Sequence, residues 1–208
     1  IMPGIKLIMT QAFHAPEAVG GGLLGGVIRQ GVARGLFSNE AGLGSAAMAH
    51  GAAQTKEPVR EGLVAMLGPF IDTLVVCSIT ALVIVCTGAH ETISIKGQLT
   101  TAAFEMGLPG SGVIVSIGII LFAFSTLIAW SYYGDRAVDY LFGKKAVKPY
   151  RFIYLIFIVI GALRPLDEVI NFCDIFNALM AVPNLIALIV LAPVVIKLCD
   201  SYIKRYFS

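Results

Sequence analysis

Gly31 to His50, GVARGLFSNEAGLGSAAMAH, decides how the rest of this 208-residue chain is read. It sets helix-weakening and polar residues inside a sequence that is otherwise close to lipid-soluble. Gly35, Gly42 and Gly44 each weaken helix propensity by about 1 kcal/mol relative to Ala. Ser38, Asn39 and Glu40 can hold either a polar ligand or the backbone groups that unwinding frees. The stretch reads as a break in a membrane helix, which is tolerated only where it faces protein or a water-filled cavity. By composition alone it is equally an ordinary loop between two helices, since Gly, Ser and Asn are the usual loop residues.

Hydrophobic residues make up 57% of the chain and charged ones 13%, with mean hydropathy +0.85. Soluble domains hold about 45–50% and about 25%, so the balance predicts an all-α, polytopic membrane protein. A net charge of +2 is too small to suggest nucleic acid, and the basic residues cluster in loops. Cys77, Cys86, Cys173 and Cys199 lie in or beside apolar runs without CxxC spacing, which indicates neither a metal site nor a disulfide framework. The first residue is Ile1, and the opening resembles no signal peptide. The expectation is a fragment lacking an N-terminal part, with residues 1–14 a surface helix or the tail of a truncated span.

Gly22 and Gly26, then Gly31 and Gly35, have the spacing that lets two membrane helices approach closely. Arg29 and Arg34 are costly in hydrocarbon, by roughly 3 kcal/mol each, so this helix belongs inside a bundle. Ala41 to Gln54 suits a second, tightly packed half-helix ending near Lys56 and Pro58, which makes 15–54 one broken helix. Gly62 to Gly88 is 27 residues with Asp72 its only charge. At 1.5 Å per residue it reaches roughly 40 Å against a hydrocarbon core of about 30 Å. Further spans are predicted at 112–134 and at 175–197, where Pro183 and Pro193 can be accommodated within a bundle. Phe152 to Leu163 is only 12 residues, a length that on its own suggests a segment that does not cross.

Charge arbitrates. If residues 149–164 do cross, one side of the membrane receives Lys56, Arg60, Arg136, Lys144, Lys145, Lys148, Arg151, Lys197, Lys204 and Arg205, ten in all, and the other receives two, Lys96 and Arg164. That bias puts the ten in the cytoplasm and favours five transmembrane helices, the first broken, with a cytoplasmic C-terminus.

GVARGLFSNEAGLGSAAMAH, then GLVAMLGPFIDTLVVCSITALVI and FAFSTLIAWSYYGD, together resemble the alanine or glycine:cation symporter family, in order and over nearly the whole chain. The resemblance implies a leucine-transporter-type fold of two inverted repeats whose first helices are both broken at mid-membrane. Five spans beginning with a broken helix match its second repeat. The partners implied are a small amino acid, the lipid bilayer and the N-terminal half of the same carrier; the cell membrane, most simply a bacterial inner membrane, is the implied location.

On the same footing, Phe37, Ser38, Asn39, Glu40 and Gly42 would line the substrate pocket. Backbone N–H groups near Ala41 to Gly44 could meet anionic oxygen, although the resemblance gives the carboxylate chiefly to the other broken helix. Glu40 is a ligand for sodium or the substrate ammonium, or a structural partner for Arg34 or freed N–H groups, as buried carboxylates usually are. Ser125 and Thr126, with the carbonyl of Phe122, match the sodium-binding hydroxyl pair of the eighth helix; sodium is a hard ion that suits oxygen ligands. Hydroxyls in helices also bond back to the carbonyl at i−4 without any ligand. Trp130, one turn beyond Thr126, would cap the pocket and leave room only for something small, or else belongs with Tyr132 and Tyr133 to an interfacial belt.

Asp72 is a functional candidate or a partner for Arg29 or Arg34. His14, His50 and His90 have no companion at metal-ligand spacing. The function expected is symport of alanine or glycine with sodium as the transported ion, without covalent chemistry. The competitors are a channel, for which the spans lack a continuous polar face, and an intramembrane enzyme using Glu40 with His50, which has no nucleophile motif.

Overall fold

The computed structural model describes residues 1–14, 23–40 and 42–207, and the side chains of residues 1–10, 30–40, 42–95 and 97–207. Among them every regular element is helical. In order these are α1 (Met2–His14), α2 (Leu23–Ser38), α3 (Ser45–His50), α4 (Pro58–Pro69), a π-helical segment (Phe70–Cys77), α5 (Ser78–Thr87), α6 (Ala89–Thr92), α7 (Leu99–Gly107), α8 (Ser111–Phe142), α9 (Val147–Ala162) and α10 (Leu166–Tyr206). Short 3-10 turns precede α7 and α9 at Lys96–Gln98 and Lys144–Ala146.

Three stretches are long and apolar enough to cross a membrane: Pro58–Thr87, Ser111–Phe142 and Leu166–Tyr206. Their large apolar side chains point outward, as Leu121, Ile189 and Val190 do at 64–74% exposure, which suits a hydrocarbon surround rather than water. The helix α9 has 16 residues, roughly 24 Å at 1.5 Å each against a core of about 30 Å. It begins at Val147, so it takes in Lys148 and Arg151 ahead of the apolar run.

Several boundaries differ from the sequence reading. The final helix covers 166–206 rather than 175–197, continuing past the apolar run at both ends, and Pro183 and Pro193 lie inside it, as expected. The half-helix after the break ends at His50, not near Lys56. There Gly51 N–H closes the last turn on the Ala47 carbonyl, and His50 Nδ1 meets Glu61 Oε1 at 2.7 Å. Residues 15–22, Ala41 and the Arg29 and His14 side chains lie outside the described residues.

The chain divides into two compact units, residues 1–34 with 70–126 and residues 35–69 with 127–208. In the first, α1 and α7 pack on α5, with Ala89 and Ala103 fully buried. The start of α8 is fixed by Glu105, whose carboxylate accepts Gly110 N–H at 2.9 Å and Gly112 N–H at 2.8 Å. In the second unit, α4 packs on α10, and Arg205 near the end of α10 pairs both guanidinium nitrogens with Glu57 at 3.0 and 3.2 Å.

Candidate functional site

The break is built by backbone reversals. At the end of α2, Asn39 N–H still reaches the Gly35 carbonyl at 3.0 Å, and Glu40 N–H the Phe37 carbonyl at 3.4 Å. Then Glu40, Gly42 and Gly44 adopt φ of +51°, +77° and +83°. Left-handed residues at alternate positions cannot continue a right-handed helix, and Glu40 does so without a glycine's freedom. The opened main chain needs new partners. The Gly42 carbonyl finds one in α10, accepting from Asn184 Nδ2 at 2.9 Å. A Cβ on Gly44 would lie 2.9 Å from Asn184 Oδ1, so this approach requires glycine. Leu43 is buried between these points at 4% exposure.

Opposite the break, α8 presents Trp130, Tyr133, Gly134 and Ala137, spaced as one helix face. Trp130 and Tyr133 meet edge to face, centroids 5.8 Å apart at 68°. Tyr133 is 9% exposed. Glu40 Oε2 is buried and has no hydrogen-bond partner among the described residues.

This face of α8 is held rigidly by α9. Asp135, 4% exposed, accepts from Arg151 Nε and Nη2, the latter at 2.6 Å, and Tyr154 donates to the Leu127 carbonyl at 2.9 Å. Gly134 lets the Tyr150 hydroxyl pass where any Cβ would overlap it. A cavity of ≈ 500 Å³ lies in this unit, walled by Ser45, Trp130, Tyr133, Tyr154, Met180 and Asn184 among others.

Phe37 and Ser38 are exposed, and Asn39 and Glu40 half-buried. Phe122, Ser125 and Thr126 belong to the other unit, where both hydroxyls donate to the Phe122 carbonyl at 2.9 Å. This is the back-bonding that helical hydroxyls make in any case. It brings three oxygens together, and each hydroxyl keeps its lone pairs. His50, paired with Glu61, is not a partner of Glu40.

Sequence reasoning missed Asn184, Ser45 and the buried Tyr133. Asn184 carried a signal, an amide beside a proline inside an apolar run. Tyr133 read as belt because its neighbour Tyr132 is also a tyrosine.

A model of the sodium:alanine symporter family matches residues 1–207. The chain belongs to that family. It is 47% identical over 208 residues to an uncharacterized transporter of Haemophilus influenzae, covering 97% of this chain and 45% of that protein. It is 44% identical to the sodium/alanine symporter AgcS of Methanococcus maripaludis (95% and 44%) and 38% identical to the probable sodium/glutamine symporter GlnT of Bacillus subtilis (98% and 43%). It thus spans under half the length of the curated relatives it matches. No solved structure matches it. Members of the sodium:alanine symporter family are transporters, not enzymes, and this member is a multi-pass membrane protein with three helices long and apolar enough to span.

Proposed function

We propose that this sodium:alanine symporter family chain supplies five spans, the second inverted repeat of a leucine-transporter-type carrier that imports alanine or glycine with sodium. The observation that carries the reading is the opened main chain at Asn39–Gly44. There Glu40 is held left-handed, a conformation costing a non-glycine residue roughly 1–3 kcal/mol, with one buried carboxylate oxygen that has no hydrogen-bond partner among the described residues. A strained residue with unused acceptor capacity suits a cationic group, either the ammonium of an amino acid or sodium.

Phe37, Ser38, Asn39, Glu40 and Gly42 line the substrate position, with Trp130 limiting the side chain to something small. Sodium takes the Phe122 carbonyl and the lone pairs of Ser125 and Thr126, an all-oxygen set suited to a hard cation. The remaining ligands come from the other repeat of the carrier. α9 is the short fifth span, the C-terminus is cytoplasmic, as the distribution of Lys and Arg supports, and the carrier sits in a bacterial inner membrane. Transport proceeds by rocking of one helix group about the site.

Uptake of labelled alanine into vesicles carrying the full-length carrier, with and without an inward sodium gradient, tests this. Accumulation driven by sodium is the expected result. Flux that ignores the gradient would make the protein a channel and sink the reading.

A further inference from the structure

We infer that the turn from α8 into α9, residues 140–148, is a docking surface for an anionic glycerophospholipid of the phosphatidylglycerol kind. Lys144, Lys145 and Lys148 take the phosphate, and Tyr140, Leu141 and Phe142 take the upper part of the acyl chains. Such docking requires only that α8 crosses the membrane, whatever solute the chain helps to carry.

α8 has 32 residues, roughly 48 Å at 1.5 Å each, whereas a bilayer with its headgroup layers measures about 40–45 Å. A helix of that length ends among the headgroups. Its last three residues, Tyr140, Leu141 and Phe142, are 89%, 67% and 74% exposed. Successive helical residues point about 100° apart, so these three cover more than half of the helix circumference. Little of the described chain packs against that turn. An apolar, aromatic turn at headgroup depth suits the lipid interface, where such side chains concentrate.

The cations stand immediately beyond it. Gly143, at φ +80°, turns the chain, its N–H closing on the Asp139 carbonyl and its carbonyl accepting Ala146 N–H, both at 3.0 Å. α9 then begins at Val147, so the exposed Lys144, Lys145 and Lys148 are gathered on a turn shaped by its own hydrogen bonds. Residues 135–151 hold five Lys and Arg against two Asp. Asp135 is taken by Arg151, and Arg136 lies over the Tyr132 ring at 5.3 Å. Among the described residues the three lysines make no ion pair, with Asp139 or any other acid. The basic end of α10 differs, because Arg205 is held there by Glu57 through two nitrogens. A soluble anion would answer the lysines and leave the apolar turn bare. A phospholipid answers both, and lysine clusters beside a membrane span are attracted to anionic lipid.

The test uses the full-length carrier with Phe142 replaced by the photoreactive p-benzoylphenylalanine, in vesicles of phosphatidylcholine with phosphatidylglycerol as a minor component. Illumination should label the carrier with phosphatidylglycerol at least about fivefold more, per mole of lipid, than with phosphatidylcholine, the factor one lysine near an anionic surface supplies. Lys144→Gln, Lys145→Gln and Lys148→Gln combined should remove that preference while labelling by phosphatidylcholine persists. The same three positions changed to Arg should keep it, since the charge is retained. Equal labelling by the two lipids, a preference that survives the three glutamines or is lost equally with the three arginines, or a crosslink to protein in place of lipid overturns the docking surface.

Discussion

Asn39–Gly44 stops a helix without a proline, whereas α10 runs for 41 residues through Pro183 and Pro193 without stopping. A proline removes one backbone donor and crowds the carbonyl four residues back, yet its φ near −65° is already helical. Within a membrane bundle such a loss is absorbed by neighbours. Pro69 illustrates a middle case, since the helix after it widens to a π form over Phe70–Cys77 and then recovers. Left-handed residues at 40, 42 and 44 instead turn the chain away from the helix axis, and Asn184 holds the opened carbonyl. In this chain the opening comes from handedness together with a distant partner, not from proline.

The sharpest way to break that contrast is Gly44→Val. A β-branched residue at φ +83°, facing Asn184 Oδ1, should destabilise the chain by about 2–3 kcal/mol and abolish alanine uptake. Pro193→Ala should leave thermal unfolding and uptake nearly as they are. Equal effects of the two in detergent melting and vesicle assays would undo the argument. Glu40→Gly separates strain from function at the same break. Relief of the left-handed glutamate should raise stability by about 1 kcal/mol, while uptake falls at least tenfold for want of the carboxylate. Retained uptake would remove Glu40 from the solute position.

The break was legible because Gly42, Gly44 and Glu40 stand together in an apolar sequence, and each carries a local conformational meaning. The long apolar runs were legible by length alone, although their ends were not. Nothing between Leu166 and Asp174 or after Lys197 distinguishes a helix that leaves the bilayer from a loop, so α10 is longer than its hydropathy suggests. Tertiary partners stayed hidden for a different reason. Asn184 lies 142 residues from Gly42, and no periodicity encodes that meeting. Ser45 could not be singled out either, because a serine after a glycine turn is ordinary until burial deprives it of water.

Asn184→Leu probes the partner rather than the break itself. Leucine leaves the Gly42 carbonyl without its donor, which should cost about 1–3 kcal/mol. Uptake should fall by more than that loss of folded protein explains, because the opened segment is no longer held in one geometry. Measuring surviving folded carrier by size-exclusion alongside initial uptake rates decides it. A fall in uptake that merely tracks the amount folded would reduce Asn184 to a packing residue.

The smallest effect compares two helix starts. α3 begins at Ser45 with no side-chain cap, whereas α8 begins under Glu105, which accepts two backbone N–H groups. Those bonds, first from Gly110 and then from Gly112, hold the Glu105 carboxyl below its ordinary 4.5. A depressed folded-state pKa means that the cap is fully present above the ordinary value. It is lost as pH falls through the lowered one, where protonation removes an acceptor. Glu105 is exposed, so the change is slight. Wild type should lose a little thermal stability between pH 5 and pH 3 that Glu105→Gln, already weaker at neutral pH, does not lose. Parallel pH profiles for the two proteins would show that the start of α8 needs no cap, which would make it more like the start of α3 than the geometry indicates.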